Sequence, residues 1–252
     1  MSDGIYVAMS GAKARSRQLE TVANNLANID TIAYRKQRTA FKEYLGRLKG
    51  PVAKQSPDAK MPDEISVPVD LSHVVVDENS SGVTPGRLQQ TGDPLHLGLE
   101  GSGYFVLNTI GGKRYTRDGS FLRSSDGYLV ARDGSTVLGK KGPIRLPDGQ
   151  VQIDHDGNVS VDAKKIGTLL LVDFALPEKL IRQGANRYKT NQSPMKVKPT
   201  VHQGWLEEST VNPLKEMVDM IAAHRGFDAL QQAIQSYKEM DTRANEIGRP
   251  VS

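Results

Sequence analysis

At 252 residues the chain is long enough to bury a proper core and to hold one or two domains. It contains no cysteine, which excludes a disulfide framework, a thiolate metal site and a thiol nucleophile. Its net charge of +4 is only mildly basic, and its longest strongly apolar run, about Leu169–Val172, is far short of the roughly 20 residues a membrane helix needs.

The chain opens on a helix over residues 3–29. At about 100° per residue, Ile5, Ala8, Ala12, Leu19, Val22, Ala23 and Leu26 share one face, into which only Arg15 intrudes. Lys13, Arg15 and Arg17 interrupt any apolar stretch of signal-peptide length, so no cleaved secretory signal is expected. Gly11 costs about 1 kcal/mol against Ala in a helix interior, and signifies close helix approach or simple tolerance. Asn24, Asn25 and Asn28 fall opposite the apolar face. Asn forms helices poorly, by roughly 0.5–0.7 kcal/mol against Ala, so three within five positions need a reason. One reading is a helix fraying before an Asp30-Thr31 turn. The preferred reading is an amide face held against a second partner, because buried amides in helix seams fix register and partner number. A subunit packed among identical subunits has that requirement.

Residues 31–69 read as an extended or hairpin connector followed by a linker. Tyr34, Phe41, Tyr44 and Leu45 alternate with basic residues and are expected to pack beside the helix. Arg35, Lys36, Arg38, Lys42, Arg47 and Lys49 form the one basic cluster; it lacks further stacking aromatics and any nucleic-acid motif, so no nucleic-acid partner is expected. From Gly46 to Pro68, four Xaa-Pro pairs punctuate a Lys-rich, weakly apolar run that reads as linker.

Residues 70–211 turn to β. Asp-Gly pairs at 118–119, 126–127, 133–134, 148–149 and 156–157 separate short apolar or alternating runs. Asp-Gly supplies the positive φ angles of tight hairpins, so the series predicts successive antiparallel hairpins. Gly167–Phe174 reads as one longer, fully apolar strand.

The last helix starts with Asn212 as N-cap and Pro213 in the first turn. Leu214, Met217, Val218 and Ile221 form one apolar stripe; Met220, Ala223, Phe227, Leu230, Ile234 and Tyr237 form a second. So wide an apolar face needs a partner, and the simplest is the first helix. The fold expected is α+β, with residues 1–30 and 212–252 paired as a coiled-coil-like stem and an all-β domain of antiparallel hairpins inserted between them.

The motifs that invite chemistry are better read as turns. Gly101-Ser102-Gly103 lacks a third glycine and leads into strand-like residues, whereas phosphate binding needs a helix N-terminus there. Asp154-His155-Asp156-Gly157-Asn158 resembles a calcium loop, but its twelfth position is Lys165 in place of the bidentate Glu. His73, His96, His155, His202 and His224 show no metal spacing, and no Ser lies in a nucleophile elbow. No catalysis, cofactor, metal or small-molecule substrate is expected.

Three ordered blocks resemble the bacterial flagellar rod and hook proteins. Ala23-Asn24-Asn25-Leu26-Ala27-Asn28 with Thr31, Tyr34 and Arg35 is similar to the family's N-terminal signature. Asp93-Pro94-Leu95-His96-Leu97, Gly101 to Phe105 and Tyr115 to Phe121 are similar to its central motif, and Gly204 to Val211 with Met220-Ile221 and Arg225-Gly226-Phe227 to its C-terminal helix and lead-in. Two positions depart: Ala33, usually Gly, counts against a left-handed turn there, and Thr210, usually Asn, against a cap there. The ending Thr242-Arg243-Ala244-Asn245-Glu246 resembles the proximal-rod members more than the distal ones.

The resemblance implies a structural subunit of the rod that crosses the periplasm in the flagellar basal body. Such a subunit leaves the cell through the flagellum's own type III export apparatus, with its terminal helices lining the inner tube and its β domain outside. Its partners would be further copies of itself and other rod proteins. The expected subunit-contact residues are Ile5, Leu19, Val22, Asn24, Asn25, Leu26 and Asn28 in the first helix and Leu214, Ile221, Phe227, Leu230 and Ile234 in the last. The competing reading is a soluble β-domain binding module, adhesin-like or phage-tail-like, oligomerised by helical termini.

Overall fold

The computed structural model describes residues 2–46, 71–81, 85–184 and 186–247. The expected linker between Gly46 and Pro68 lies outside these residues, apart from its first position. The fold is α+β: an N-terminal helix, a central antiparallel β-rich region and a C-terminal helix. It divides into two compact units. One comprises Met1–Thr21, Thr39–Glu78 and Val218–Ser252; the other comprises Val22–Arg38 and Asn79–Met217.

The first unit holds most of both helices. Helix α1 spans Ser2–Ala27 and helix α2 spans Pro213–Ile247. Long side chains of each helix reach over glycines of the other. A methyl built on Gly4 would stand 3.2 Å from the Tyr237 ring, one on Gly11 3.4 Å from Leu230, and one on Gly226 3.3 Å from the Arg15 side chain. At Gly11 that distance is ordinary van der Waals contact with the end of the Leu230 side chain, so the space there does not require glycine. Moving seven residues along α1, from Gly4 to Gly11, moves seven back along α2, from Tyr237 to Leu230, so the helices run antiparallel in a constant register. Strand Gln37–Gly46 follows α1 and pairs with strand Leu71–Ser81.

The second unit is built from antiparallel pairings. Strand Tyr104–Thr109 lies inside a ten-stranded sheet and is covered on both faces. Phe105 and Leu107 enter one core with Leu97, Leu99, Phe121, Leu129, Val159, Leu169 and Val201; Tyr104 and Val106 enter a second with Tyr115, Phe174, Leu180 and Tyr188. Alternation along one strand thus feeds two cores.

Three of the five Asp-Gly pairs close hairpins: Gly127, Gly134 and Gly157 have positive φ and lie between strands paired in register. The other two do not. Asp148-Gly149 joins two sheets. Gly119 lacks a positive φ; it is required because a Cβ there would stand 1.8 Å from the carbonyl oxygen of Leu97. A further hairpin turns at Asp162-Ala163, where both residues adopt positive φ without glycine.

The expected single strand Gly167–Phe174 is two. Lys164–Thr168 closes a three-stranded sheet with Val151–Ile153 and Asn158–Val161, while Leu171–Asp173 joins the large sheet beside Tyr104–Phe105. Its middle, Leu169–Val172, is apolar because it crosses the core between sheets, where Leu169 bridges Gly139 and is 1% exposed. Such a crossing cannot be told from a continuous buried strand by hydropathy alone.

Candidate assembly interface

The three amides that end α1 are the centre of a polar network in the β-rich unit. Asn25 is 1% exposed and uses its whole side chain. Its Oδ1 accepts from the backbone N–H of Gln37 at 2.9 Å and from the Tyr34 hydroxyl at 3.2 Å. Its Nδ2 donates to the carbonyl of Gln37 at 3.0 Å and to Glu216 Oε2 at 3.1 Å. A primary amide offers two donors and two acceptor sites, so nothing in this group is left for a neighbour. By engaging both backbone groups of Gln37, Asn25 stands where a paired strand would at the start of Gln37–Gly46.

Asn24 and Asn28 complete the turn. Tyr34 donates to Asn24 Oδ1 at 2.9 Å; Asn28 Nδ2 donates to the carbonyl of Asn24 at 2.8 Å; Thr31 donates to Asn28 Oδ1 at 3.1 Å. Burial pushes the Tyr34 hydroxyl above its ordinary value, against the opposing charge of Arg182, which also lies 5.2 Å from the ring centroid. The phenol therefore stays protonated and remains a donor.

Glu216, fully buried in the first turns of α2, is held by Asn25 and by an ion pair with the Lys36 ammonium. The helix begins as expected: Asn212 Oδ1 accepts from the Lys215 N–H at 3.1 Å, with Pro213 as the first helical residue. The two departures from the family pattern are Ala33 in the connector and Thr210 in the lead-in to α2. Ala33 takes the left-handed conformation at φ 55°, contrary to expectation, because its N–H must reach the carbonyl of Glu207 at 2.7 Å. Thr210 is not the cap of α2, in line with expectation: its Oγ1 accepts from the Lys36 N–H at 2.8 Å while its own N–H donates to the carbonyl of Tyr34 at 2.9 Å, tying the lead-in of α2 to the connector.

Arg117 and Glu207 anchor the same region from below, paired at 2.7 Å with both side chains excluded from solvent. Arg117 also donates to the carbonyls of Gly101 and Gly103 at 2.8 Å and of Leu99 at 3.2 Å. The Gly-Ser-Gly stretch is thus a guanidinium cradle at a turn into strand Tyr104–Thr109. Burying a charge demands this degree of satisfaction. The Asp154 stretch is likewise a turn: its carboxylate accepts from the N–H groups of Asp156 and Asn158 and from the Asn158 side chain.

The predicted contact residues separate by exposure. Leu214 and Ile221 project into solvent, and Asn24 is exposed. Ile5, Leu19, Leu26, Asn28, Phe227, Leu230 and Ile234 are half-buried, Leu230 against Gly11; Val22 and Asn25 are buried within the chain. The second stripe of α2 therefore faces α1, and the first stripe is open. Sequence reasoning missed Tyr6, Val7 and Met9, each at least half exposed on α1, and the Tyr34–Lys36–Glu216 network. A signal for the latter existed. Glu216 lies seven residues before Ala223 and eighteen before Ile234, a charge inside the apolar stripe that had to find a partner.

Three family models match the chain in order. "Flagella basal body rod protein" covers residues 5–35, the "Flagellar hook protein FlgE/F/G D1 domain" covers 98–161, and "Flagellar basal body rod FlgEFG protein C-terminal" covers 202–247. The flagellar basal-body rod protein FlgF of Caulobacter vibrioides is 31% identical over 253 residues, 98% of each chain. The chain belongs to the flagellar basal-body rod protein family. FlgG of Bacillus subtilis is 30% identical over 95% of this chain and 97% of its own, and FlgF of Escherichia coli 30% over 98% of both. In this rod-family chain the N-terminal match ends on the Asn25–Tyr34 network, and the C-terminal match begins at residue 202, just before the strand Trp205–Glu207, and runs through α2. The family's ends are thus the parts that meet at Ala33, Glu207, Asn25 and Glu216. Among the described residues no helix is long and apolar enough to cross a membrane, and no cluster of three or more His, Asp or Glu is gathered to hold a metal.

Proposed function

We propose that the chain is a structural subunit of the flagellar basal-body rod, of the proximal FlgF type, and that it assembles through the outward faces of its terminal helices. The rod assignment rests on likeness along the whole chain to FlgF and FlgG proteins. The assembly reading rests on one observation: Leu214, Met217, Val218 and Ile221 form an open apolar stripe on α2 while its opposite stripe is engaged by α1. Fully burying such a side chain contributes about 1.5–3 kcal/mol, and the gain recurs at every subunit. In this reading α1 and α2 form a coiled-coil-like stem lining the inner tube, residues 70–211 form the outer domain, and the rod transmits torque across the periplasm. The chain reaches the rod through the type III export apparatus, its neighbours being copies of itself and other rod proteins. It performs no catalysis. Of the three amides, exposed Asn24 is the one open to a neighbour, and Asn25 and Asn28 organise the subunit that presents it.

An Ile221→Asp substitution tests this. A carboxylate placed in an apolar contact is desolvated without a partner. Tagged wild-type chain is expected in isolated basal bodies; the variant is expected to be made, to melt at the wild-type temperature, and to be missing from basal bodies of non-motile cells. A motile strain with the variant at normal levels in its basal bodies would remove α2 as the assembly element.

A further inference from the structure

Lysines far apart in the chain meet around one exposed cleft of the β-rich unit. Lys140 and Lys198 line it, together with Asp156 and Asn158, and its volume is about 250 Å³. Lys165 reaches the same place, its Nζ donating to Asn158 Oδ1 at 2.7 Å. Lys141 and Lys196, next to Lys140 and two residues before Lys198, are exposed as well. Among the described residues none of these lysines makes an ion pair, and neither does Asp156, whereas the arginines Arg117, Arg123 and Arg187 of the same unit are paired with Glu207, Asp148 and Asp133. Backbone geometry sets Lys140 and Lys141 apart a second time. Gly139 lies opposite Gly142, so these two lysines are the central residues of a two-residue hairpin. Such a turn matches the strand twist when its first central residue has positive φ, hence the usual Asn-Gly or Gly. Neither lysine has one; only Gly142 after them does, at 124°. Two like charges thus stand side by side at a turn whose local physics favours neither, and departures of this kind concentrate at functional positions.

We infer that this cleft binds an anionic glycan, a sugar chain whose carboxylate or phosphate groups are spaced by free hydroxyls. Lysine ammoniums are mobile point charges, whereas recognition of one anion in a fixed orientation uses the planar fork of arginine. The cleft therefore suits a run of spaced charges and not a single small anion. A protein partner fits poorly: protein interfaces are depleted in Lys and enriched in Tyr, Trp, Met and Arg, and no aromatic side chain is in the wall of this cleft. For the same reason it offers no platform on which a single-stranded nucleic acid could stack its bases. Asp156 completes the pattern. Its carboxylate repels a polymer charged at every unit but accepts hydrogen bonds from sugar hydroxyls lying between the anions. The inference concerns the β-rich unit alone; it goes beyond the rod reading and does not depend on it.

Affinity electrophoresis of the purified full-length chain tests this, in gels cast with polygalacturonate, with phosphorylated dextran or with neutral dextran, each at low and at physiological salt. A chain carrying Lys140→Ala, Lys141→Ala and Lys198→Ala is compared with one carrying Lys113→Ala, Lys179→Ala and Lys189→Ala, which removes the same charge from other exposed positions of the unit. Wild type and the second triple should be retarded by an anionic glycan and not by neutral dextran. The cleft triple should bind about tenfold more weakly, with a flatter dependence on salt. Whichever anionic polymer retards the chain identifies carboxylate or phosphate as the group bound. Because all three side chains are exposed, the cleft triple should melt at the wild-type temperature; if it does not, Lys198→Gln alone carries the same comparison. Equal loss in both triples would reduce the effect to net charge and overturn the inference, as would no retardation at low salt. Tighter binding to polyglutamate or to duplex DNA than to either glycan would overturn it in favour of an acidic protein or a nucleic acid. The rod assignment is read from basal bodies, so none of these outcomes alters it.

Discussion

The β-rich unit and the helix pair solve the problem of burial in opposite ways. In the β-rich unit the strands feed their apolar side chains into two internal cores, leaving Leu122, Ile181 and Met195 singly at the surface, and its buried charges are matched inside: Arg117 with Glu207, Lys36 with Glu216. The helix pair is unfinished. One stripe of each helix meets the other, and Tyr6, Met9, Val218 and Ile221 remain in water. Two helices can cover one face of each other but not both. The difference teaches that stability and assembly are assigned to different parts of one chain, so substitutions should separate them.

The largest effect should come from the closed side. Arg117→Ala leaves Glu207 as an uncompensated buried charge, which costs roughly 3–5 kcal/mol. At about 2–4 °C per kcal/mol for a chain of this size, calorimetry should show the main transition falling by about 6–20 °C. A shift of a degree or less would mean that Arg117 is not the keystone described here.

Next comes the junction of helix and connector. Asn25→Ala strips partners from both backbone groups of Gln37 and from Glu216, at roughly 1–3 kcal/mol for each group left buried and unmatched. Hydrogen exchange at Gln37 should accelerate markedly while amides in Tyr104–Thr109 keep their protection. Unchanged exchange at Gln37 would return Asn25 to the role of a subunit-contact residue alone.

Ala33→Gly should act in the other direction and more weakly. A left-handed conformation costs a non-glycine residue about 1–2 kcal/mol, partly offset by the greater chain entropy of glycine when unfolded. The variant should melt slightly higher, and a clear drop would show that the buried methyl outweighs the backbone strain.

The smallest effect is an acid one. Hydrogen bonds from Asn158 hold the Asp154 carboxyl below the usual aspartate range. A depressed folded-state value means that the stabilisation is complete above the unfolded value near 4 and is lost as pH falls through the lower folded value. Protection of the Asn158 amide should therefore decline only in that acid window. Protection that is flat down to pH 2 would show that the turn does not depend on the carboxylate.

Local features were legible from residues alone where local physics decides. Helical period located α1 and α2, Asn212-Pro213 marked the start of α2, and Asp-Gly turns marked hairpins at Gly127, Gly134 and Gly157, because cap and turn geometry are set within four or five residues. The ordered blocks pointed to the family for the same reason. What the tertiary structure alone decided was which polar groups find each other. Asn25 and Glu216 are 191 residues apart, and nothing near either specifies the other. Gly119 looked like a turn residue and is a close contact with Leu97; Gly167–Phe174 looked like one strand and is a crossing between two sheets. The two stripes of α2 were visible by period, but only the position of α1 determined which is covered and which is left for a neighbour. Periodicity reports that a face is apolar; the partner that shields it from water is set by contacts distant in the chain.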